Sequence, residues 1–102
     1  MSSASVKDYA AAARAAAVDS AGRALVAVEL VCQRLCPPGT DAEALRSAVA
    51  FLSTAYDHLG RCKAAYDARE YVDCDTWSTE CAQQADVALE QLEQFAKSLL
   101  QE

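Results

Sequence analysis

Residues 70–100 read EYVDCDTWSTECAQQADVALEQLEQFAKSLL, a stretch that contains neither proline nor glycine. Its apolar side chains recur at intervals of three and four residues, at Cys74, Trp77, Cys81, Ala85, Ala88, Leu92, Phe95 and Leu99. An α-helix completes a turn about every 3.6 residues, so this spacing places all of these side chains on one face. The pattern predicts a long amphipathic helix that packs against other helices, with Trp77 as one of its core anchors.

Two further segments upstream have helical periodicity. The second carries a stripe of the same spacing, at Leu45, Ala48, Leu52, Ala55, Leu59, Cys62 and Tyr66. The first is rich in alanine, has Gly22 in its middle and shows a looser stripe, at Val6, Tyr9, Ala13, Ala16, Ser20, Leu25, Val28 and Cys32. Repeating stripes of this kind are typical of antiparallel helical bundles.

Two breaks separate the three segments. Consecutive prolines at 37–38, followed by glycine, end the first helix, and Thr40 with Glu43 has the spacing of a capping box that opens the second. The second break lies at 67–70, where Asp67 and Glu70 have cap spacing. We therefore predict a single all-α domain over residues 1–102, an antiparallel up-down bundle of three long helices at about 5–36, 41–66 and 70–100.

The chain of 102 residues has a net charge of -6, and the acidic side chains are concentrated in its last third. Residues 67–102 contain nine Asp and Glu against only Arg69 and Lys97. Such a surface repels phosphate, which excludes nucleic acid and anionic membranes as good partners, and it attracts a basic protein. The alternative is that the acidic face only maintains solubility.

No residue pattern for catalysis, metal binding or cofactor binding is found. His58 is the only histidine of the chain, and beside Asp57 it is interpreted as a surface residue. Cys32 and Cys36 are four residues apart and no Cys-x-x-Cys pair exists, so the sequence predicts no zinc site. Four charged residues interrupt the Ala/Val-rich stretch 10–31, which argues against a membrane span. We predict a protein that is not an enzyme.

Five cysteines in so short a chain favour an oxidising compartment. If the chain reverses near residue 68, Cys62 and Cys74 are equidistant from the turn and face each other, so we predict a disulfide between them. Cys32 and Cys36 lie one turn apart near a helix end and form a second candidate pair. Cys81 remains as a free thiol in the core.

The exposed sides of the second and third helices are the predicted binding surface, because tyrosines border the apolar stripes there and the third helix is acidic. The predicted contact residues are Asp57, Tyr66, Tyr71, Asp73 and Thr76.

The third helix also carries Val87, Leu89 and Leu100 off its main stripe. Two neighbouring helices cannot cover all three, so a second copy of the chain would supply the cover and complete a four-helix type of bundle. The monomeric alternative requires three alanine-lined helices that pack closely enough to hide both faces.

The three predicted helices resemble those of the plant invertase/pectin methylesterase inhibitor family, the first of them through Ala16, Asp19, Ala21 and Ala24. Residues 45–59 are similar to that family's second bundle helix, and residues 70–81, with Tyr71, Thr76 and Trp77, resemble its third. The similarity extends over residues 5 to about 92. The positions that match the family's disulfide between helices two and three hold Ala48 and Ala88 instead of cysteine, and the family's N-terminal hairpin has no counterpart.

This resemblance implies a stoichiometric inhibitor that docks onto a basic cell-wall carbohydrate-active enzyme, pectin methylesterase or invertase, in the extracellular space. Residues 1–10 lack the basic start and apolar run of a signal peptide, so either the protein is cytosolic or a signal has been removed. The rival interpretation is a cytoplasmic helical scaffold or oligomerisation module with no enzyme target.

Overall fold

A computed structural model of the chain describes residues 5–35 and 43–101, which form three long helices and no strand. Helix α1 spans Val6–Leu30 and continues into a π-helical segment, Val31–Leu35. Helix α2 spans Glu43–Asp67, and helix α3 spans Tyr71–Leu100. The all-α three-helix prediction is confirmed. No helix within the described ranges combines the length and hydropathy needed to cross a membrane.

The first helix begins with a side-chain cap and changes its hydrogen bonding at its end. Ser5 Oγ accepts from the Asp8 amide at 3.2 Å, and Asp8 Oδ2 accepts from the Ser5 amide at 3.1 Å. The predicted first helix, at about 5–36, is helical through residue 35, but its last five described residues, 31–35, are π-helical and not α-helical. Prolines 37 and 38 have no N–H, so the carbonyls four residues before them lack their α-helical donors. Thr40 of the predicted capping box and Cys36 lie outside the described residues.

The reversal between α2 and α3 is a backbone motif. Arg69 adopts a left-handed conformation with φ of 62°. The Arg69 amide donates to Tyr66 O at 3.0 Å and the Glu70 amide donates to Ala65 O at 2.8 Å, which together form a Schellman motif. The predicted side-chain cap at this break is wrong, since Glu70 makes no capping bond and Asp67 instead accepts from Lys63 Nζ at 3.1 Å. The left-handed conformation of Arg69 therefore ends α2 without a side-chain cap.

Replacing Arg69 with glycine is expected to raise the free energy of unfolding by about 0.5–1 kcal/mol, because glycine adopts positive φ without a Cβ clash. Urea unfolding followed by circular dichroism measures this change. The matched control is Ala68→Gly next to it, at a residue without positive φ, which should instead lose stability. A destabilised Arg69→Gly variant would contradict the role of the left-handed residue.

Contacts between the helices fix their directions. Cys62 of α2 meets Cys74 and Ser78 of α3, so these two helices run antiparallel across the tight turn. Cys74 Sγ lies 4.0 Å from Ala10 O and Cys81 Sγ lies 3.9 Å from Ala17 O, so α1 and α3 run parallel. Helix α3 packs against both neighbours, while α1 and α2 touch each other much less. The body is correspondingly flat, with extents of 56 × 26 × 16 Å.

Alanine dominates the core, which consists of three clusters. The central cluster contains Ala17, Ala21, Ala24, Leu52, Ala55, Cys81, Ala85 and Ala88. The cysteine cluster, next to the tight turn, contains Ala10, Cys62, Ala65 and Cys74. The Leu92 cluster, at the other end, contains Val31, Ala48, Leu92 and Phe95. Small side chains at these positions let the helices approach closely, but each of them buries little apolar area.

The looser stripe predicted for α1 is wrong. Val6, Tyr9 and Leu25 are exposed, and the helix turns Ala10, Ala17, Ala21 and Ala24 inward. The helix carries apolar residues on several of its sides, so their spacing along the sequence does not identify the buried face. Because α1 lies close to α3, small alanine side chains fit at the positions that face inward.

Candidate functional site

The end of the bundle next to the α2–α3 turn gathers the chain's chemically distinctive side chains. Three of them form a buried polar contact in the cysteine cluster. Cys62 Sγ lies 3.3 Å from Cys74 Sγ and 2.8 Å from Ser78 Oγ, and Ser78 donates its hydroxyl proton to Cys74 O at 2.7 Å. A hydroxyl has one proton, so the Cys62 thiol is the donor towards Ser78. The two sulfurs predicted to pair are therefore adjacent, as free thiols.

The thiols of Cys74 and Cys81 are poor nucleophiles. Burial, followed by the contact with Cys62, raises the pKa of the Cys74 thiol from 9.0 to about 11. Burial also raises the pKa of Cys81, whose free thiol is enclosed in the central cluster. A thiol attacks as the thiolate, so both side chains remain unreactive near neutral pH. Cys32 is exposed, and its predicted partner Cys36 lies outside the described residues.

Two of the predicted contact residues meet at the tight turn. Tyr66 and Tyr71 pack edge to face, with ring centroids 5.5 Å apart and planes at 66°. The guanidinium of Arg14 lies 5.6 Å from the Tyr66 ring centroid, which joins α1 to this corner. A shallow groove of about 400 Å³ runs from Tyr66 along α1 past Arg14 and Val18.

The remaining predicted contact residues lie on other faces. Asp73 and Thr76 are exposed near the start of α3, three residues apart and thus on one side, and Thr76 Oγ1 donates to Val72 O at 3.1 Å. Asp57 is exposed on α2, nine residues before Tyr66, a separation that places two residues on opposite faces of a helix. The structure therefore brings Tyr66 to Tyr71 and Asp73 to Thr76, but it does not place Asp57 beside Tyr66.

Trp77 is half-buried against the cysteine cluster and is covered by two side chains from α2. The His58 ring stacks on it at 5.2 Å between centroids, and the Arg61 guanidinium lies 4.8 Å from its centroid. The interpretation of His58 as a surface residue is wrong, since its ring is half-buried and its Nδ1 is buried without a hydrogen-bond partner. Both covering residues directly precede stripe residues, Leu59 and Cys62, which is the signal that could have placed them at the α2–α3 contact.

The outer side of α3 is acidic. Its six exposed carboxylates are Asp73, Asp75, Glu80, Asp86, Glu90 and Glu93. Within residues 5–35 and 43–101 none of them forms an ion pair; the pairs there are Arg23–Asp19 on α1 and Lys63–Asp67 on α2. Lys97 is the only cation on α3. The negative field of this helix is thus not compensated locally.

No His, Cys, Asp or Glu side chains among the described residues form a group of three or more that could hold a metal ion. A scan against protein-family models, a search of curated proteins and a search of solved structures each found no match for the chain.

Proposed function

We propose that this chain is a non-catalytic helical domain that binds a basic protein. The observation that carries the proposal is the outer side of α3, where six exposed carboxylates have no ion pair among the described residues. Uncompensated charge of one sign accelerates the encounter with a partner of the opposite sign. The protonated buried thiols and the Trp77-covered ring of His58 support a binding role over a catalytic one.

The resemblance of residues 70–81 to the inhibitor family suggests the kind of partner. It favours a pectin methylesterase or an invertase of the plant cell wall, inhibited by stoichiometric docking in the extracellular space. The first turns of α3, with Tyr71, Asp73 and Thr76 on their accessible sides, are the proposed contact. Half-buried tyrosines are effective anchors because they lose little side-chain freedom on binding.

The test is titration of the domain into pectin methylesterase and acid invertase assays, with association rates measured over a range of salt concentrations. Reversing Asp73 and Asp75 to lysine is expected to slow association about tenfold at low salt and to flatten its salt dependence. The matched control reverses Asp86 and Glu90, which changes the net charge equally at a distance from the proposed contact.

The control should slow association less than the Asp73→Lys/Asp75→Lys variant. Equal slowing by both would contradict the proposed location, and an unchanged rate in both would contradict a basic partner. The absence of inhibition in both assays would rule out these two enzymes as targets.

The second candidate function is a helical scaffold or oligomerisation module without an enzyme target. It is favoured by a different observation, the exposed apolar side chains of α1, among them Val18, Val26 and Leu30. The oxidation state of the cysteines in the purified natural protein separates the two candidates. A disulfide favours the secreted inhibitor, whereas free thiols favour the intracellular scaffold.

A further inference from the structure

Helix α1 is apolar on the side that faces the bundle and also on the side that faces away from it. The inner side buries Ala10, Ala17, Ala21 and Ala24. The outer face, as we call it, consists of exposed apolar residues: Ala11, Ala12, Ala15, Ala16, Val18, Leu25, Val26 and Leu30. The surface of Val26, for example, is 54% exposed. Asp8, Asp19, Arg23 and Glu29 interrupt this surface, but exposed apolar residues along a whole helix are normally covered, whereas nothing in the described chain covers these.

The centre of the outer face is recessed. Val18, Asp19, Gly22, Arg23 and Val26 line a shallow depression of about 450 Å³. A Cβ built on Gly22 would meet no atom within 4 Å, so this position is open. Val18 and Val26 therefore form the apolar walls of the depression, and the backbone at Gly22 forms its floor. Asp19 and Arg23 lie along one of its edges.

Most charges of the first helical segment have an opposite charge at a similar distance on the other side of Ala21; Lys7 is the exception. Asp19 and Arg23 lie two residues before and after it, and Asp8 and Arg34 lie thirteen residues before and after it. Arg14 and Glu29, seven and eight residues away, also have opposite signs, but Arg14 lies over the Tyr66 ring of α2 and takes no part in the outer face. Residues 6–35 have their midpoint at the same place.

This arrangement selects one way of pairing two such helices. In an antiparallel pair with its twofold axis at Ala21, residues equally far before and after the axis lie side by side, so Asp19 meets Arg23 of the other copy and Asp8 meets its Arg34. In a parallel, in-register pair each charge would meet its own kind, which is unfavourable. Asp8, Asp19 and Arg23 are separated by eleven and four residues, so they share one edge of the outer face, as contact between the two copies requires.

We propose that the outer face of α1 binds a second copy of this chain, antiparallel and with the twofold axis near Ala21. In this pairing Val18 is level with residue 24 of the other copy, beside the gap left by Gly22, and fills the depression. The Asp19–Arg23 ion pair of each copy becomes part of a four-charge cluster at the axis. The acidic side of α3 takes no part, so the proposal does not rest on the proposed function.

The location of this interface differs from the one that the sequence suggests on α3. Of the three residues of α3 that suggest a dimer contact, Leu89 is half-buried against the central cluster, and only Val87 and Leu100 are exposed. Two exposed side chains thirteen residues apart form no continuous face, while the outer face of α1 extends along the whole helix.

Sedimentation equilibrium of the full chain, at micromolar concentrations with reductant present, tests the proposal. The wild type should approach twice the chain mass of 10.9 kDa. Val26→Glu should weaken association at least tenfold by placing a charge in the interface, whereas Val72→Glu, at a similarly exposed valine on α3, should leave it unchanged. A monomeric wild type, or equal effects of the two variants, would overturn the proposal.

A mixing experiment tests whether residues 19 and 23 of the two copies meet at the axis, as the proposed position of the axis near Ala21 requires. Arg23→Asp alone and Asp19→Arg alone each place like charges at the axis and should lose about tenfold to a hundredfold in self-association. An equimolar mixture of the two variants restores opposite charges and should associate at least as strongly as the wild type. Circular dichroism confirms that each variant is folded. Failure of the mixture to associate would overturn the register.

Discussion

Replacing Leu92 with alanine is expected to lower the free energy of unfolding by about 2–5 kcal/mol, the usual cost of a cavity in place of a buried leucine. Leu92 is the largest of the fully buried side chains, with 1% of its surface exposed. It packs with Val31, Ala48 and Phe95, where α1, α2 and α3 come together at the end of the bundle away from the turn.

The cost should fall in the upper part of this range because the surroundings relax poorly. Ala48 has no side-chain torsion with which to move into the space that Leu92 vacates. Urea unfolding followed by circular dichroism measures the change. Leu100→Ala provides the control, because it removes the same atoms from a side chain that is 72% exposed and should change stability by no more than about 0.5 kcal/mol. A Leu92→Ala variant as stable as this control would contradict the packing role of Leu92.

The periodicity of α2 and α3 predicts all of the residues that these helices bury except Ala65 and Ser78. Cys81, Ala85 and Leu92 on the predicted stripe of α3 are buried, as are Leu52 and Cys62 on that of α2. In both helices polar residues occupy the opposite side, so only one face satisfies the pattern. Helix α1 lacks this contrast, so its periodicity predicts a core face with the larger residues Val6, Tyr9 and Leu25, which the structure leaves exposed.

Part of the end near the tight turn was also predictable. Symmetry about the turn predicts the meeting of Cys62 and Cys74, since a short reversal leaves little freedom of register. It does not predict the burial of Ser78, because a serine in an amphipathic helix is ordinarily exposed. Here the side chain is buried, and its hydroxyl donates to the Cys74 carbonyl. The dihedral angle of Arg69 was not predictable either, since that conformation is typical of glycine.

Oxidation of the purified chain by glutathione disulfide is expected to link Cys62 to Cys74 and to raise the free energy of unfolding by about 2–3 kcal/mol, the chain-entropy effect of closing a loop of this length. The sulfurs are 3.3 Å apart and need only a small approach to the bonding distance of about 2.05 Å. One thiolate attacks glutathione disulfide and releases glutathione, and the second thiolate then displaces the other glutathione from the mixed disulfide.

The reaction should be slow at neutral pH and accelerate as the pH rises towards 11, because only the thiolate attacks and burial keeps Cys74 protonated below that pH. Peptide mapping by mass spectrometry identifies the link, and urea unfolding of the oxidised and reduced chains measures the gain. The Cys74→Ala variant, treated identically, should show neither the link nor the gain.

The identity of the linked cysteines also tests the topology. Because α2 and α3 are antiparallel, Cys62 meets Cys74 next to the turn, while Cys81 contacts Ala17 in the central cluster and Cys32 lies in the π-helical segment beyond the end of α1. A link between Cys32 and Cys81 would require the helices to slide by several turns, since the Cα atoms of bridged cysteines are usually no more than about 7 Å apart. Recovery of that peptide from a monomeric fraction would contradict the three-helix arrangement itself, whereas failure to form any link would contradict only the disulfide.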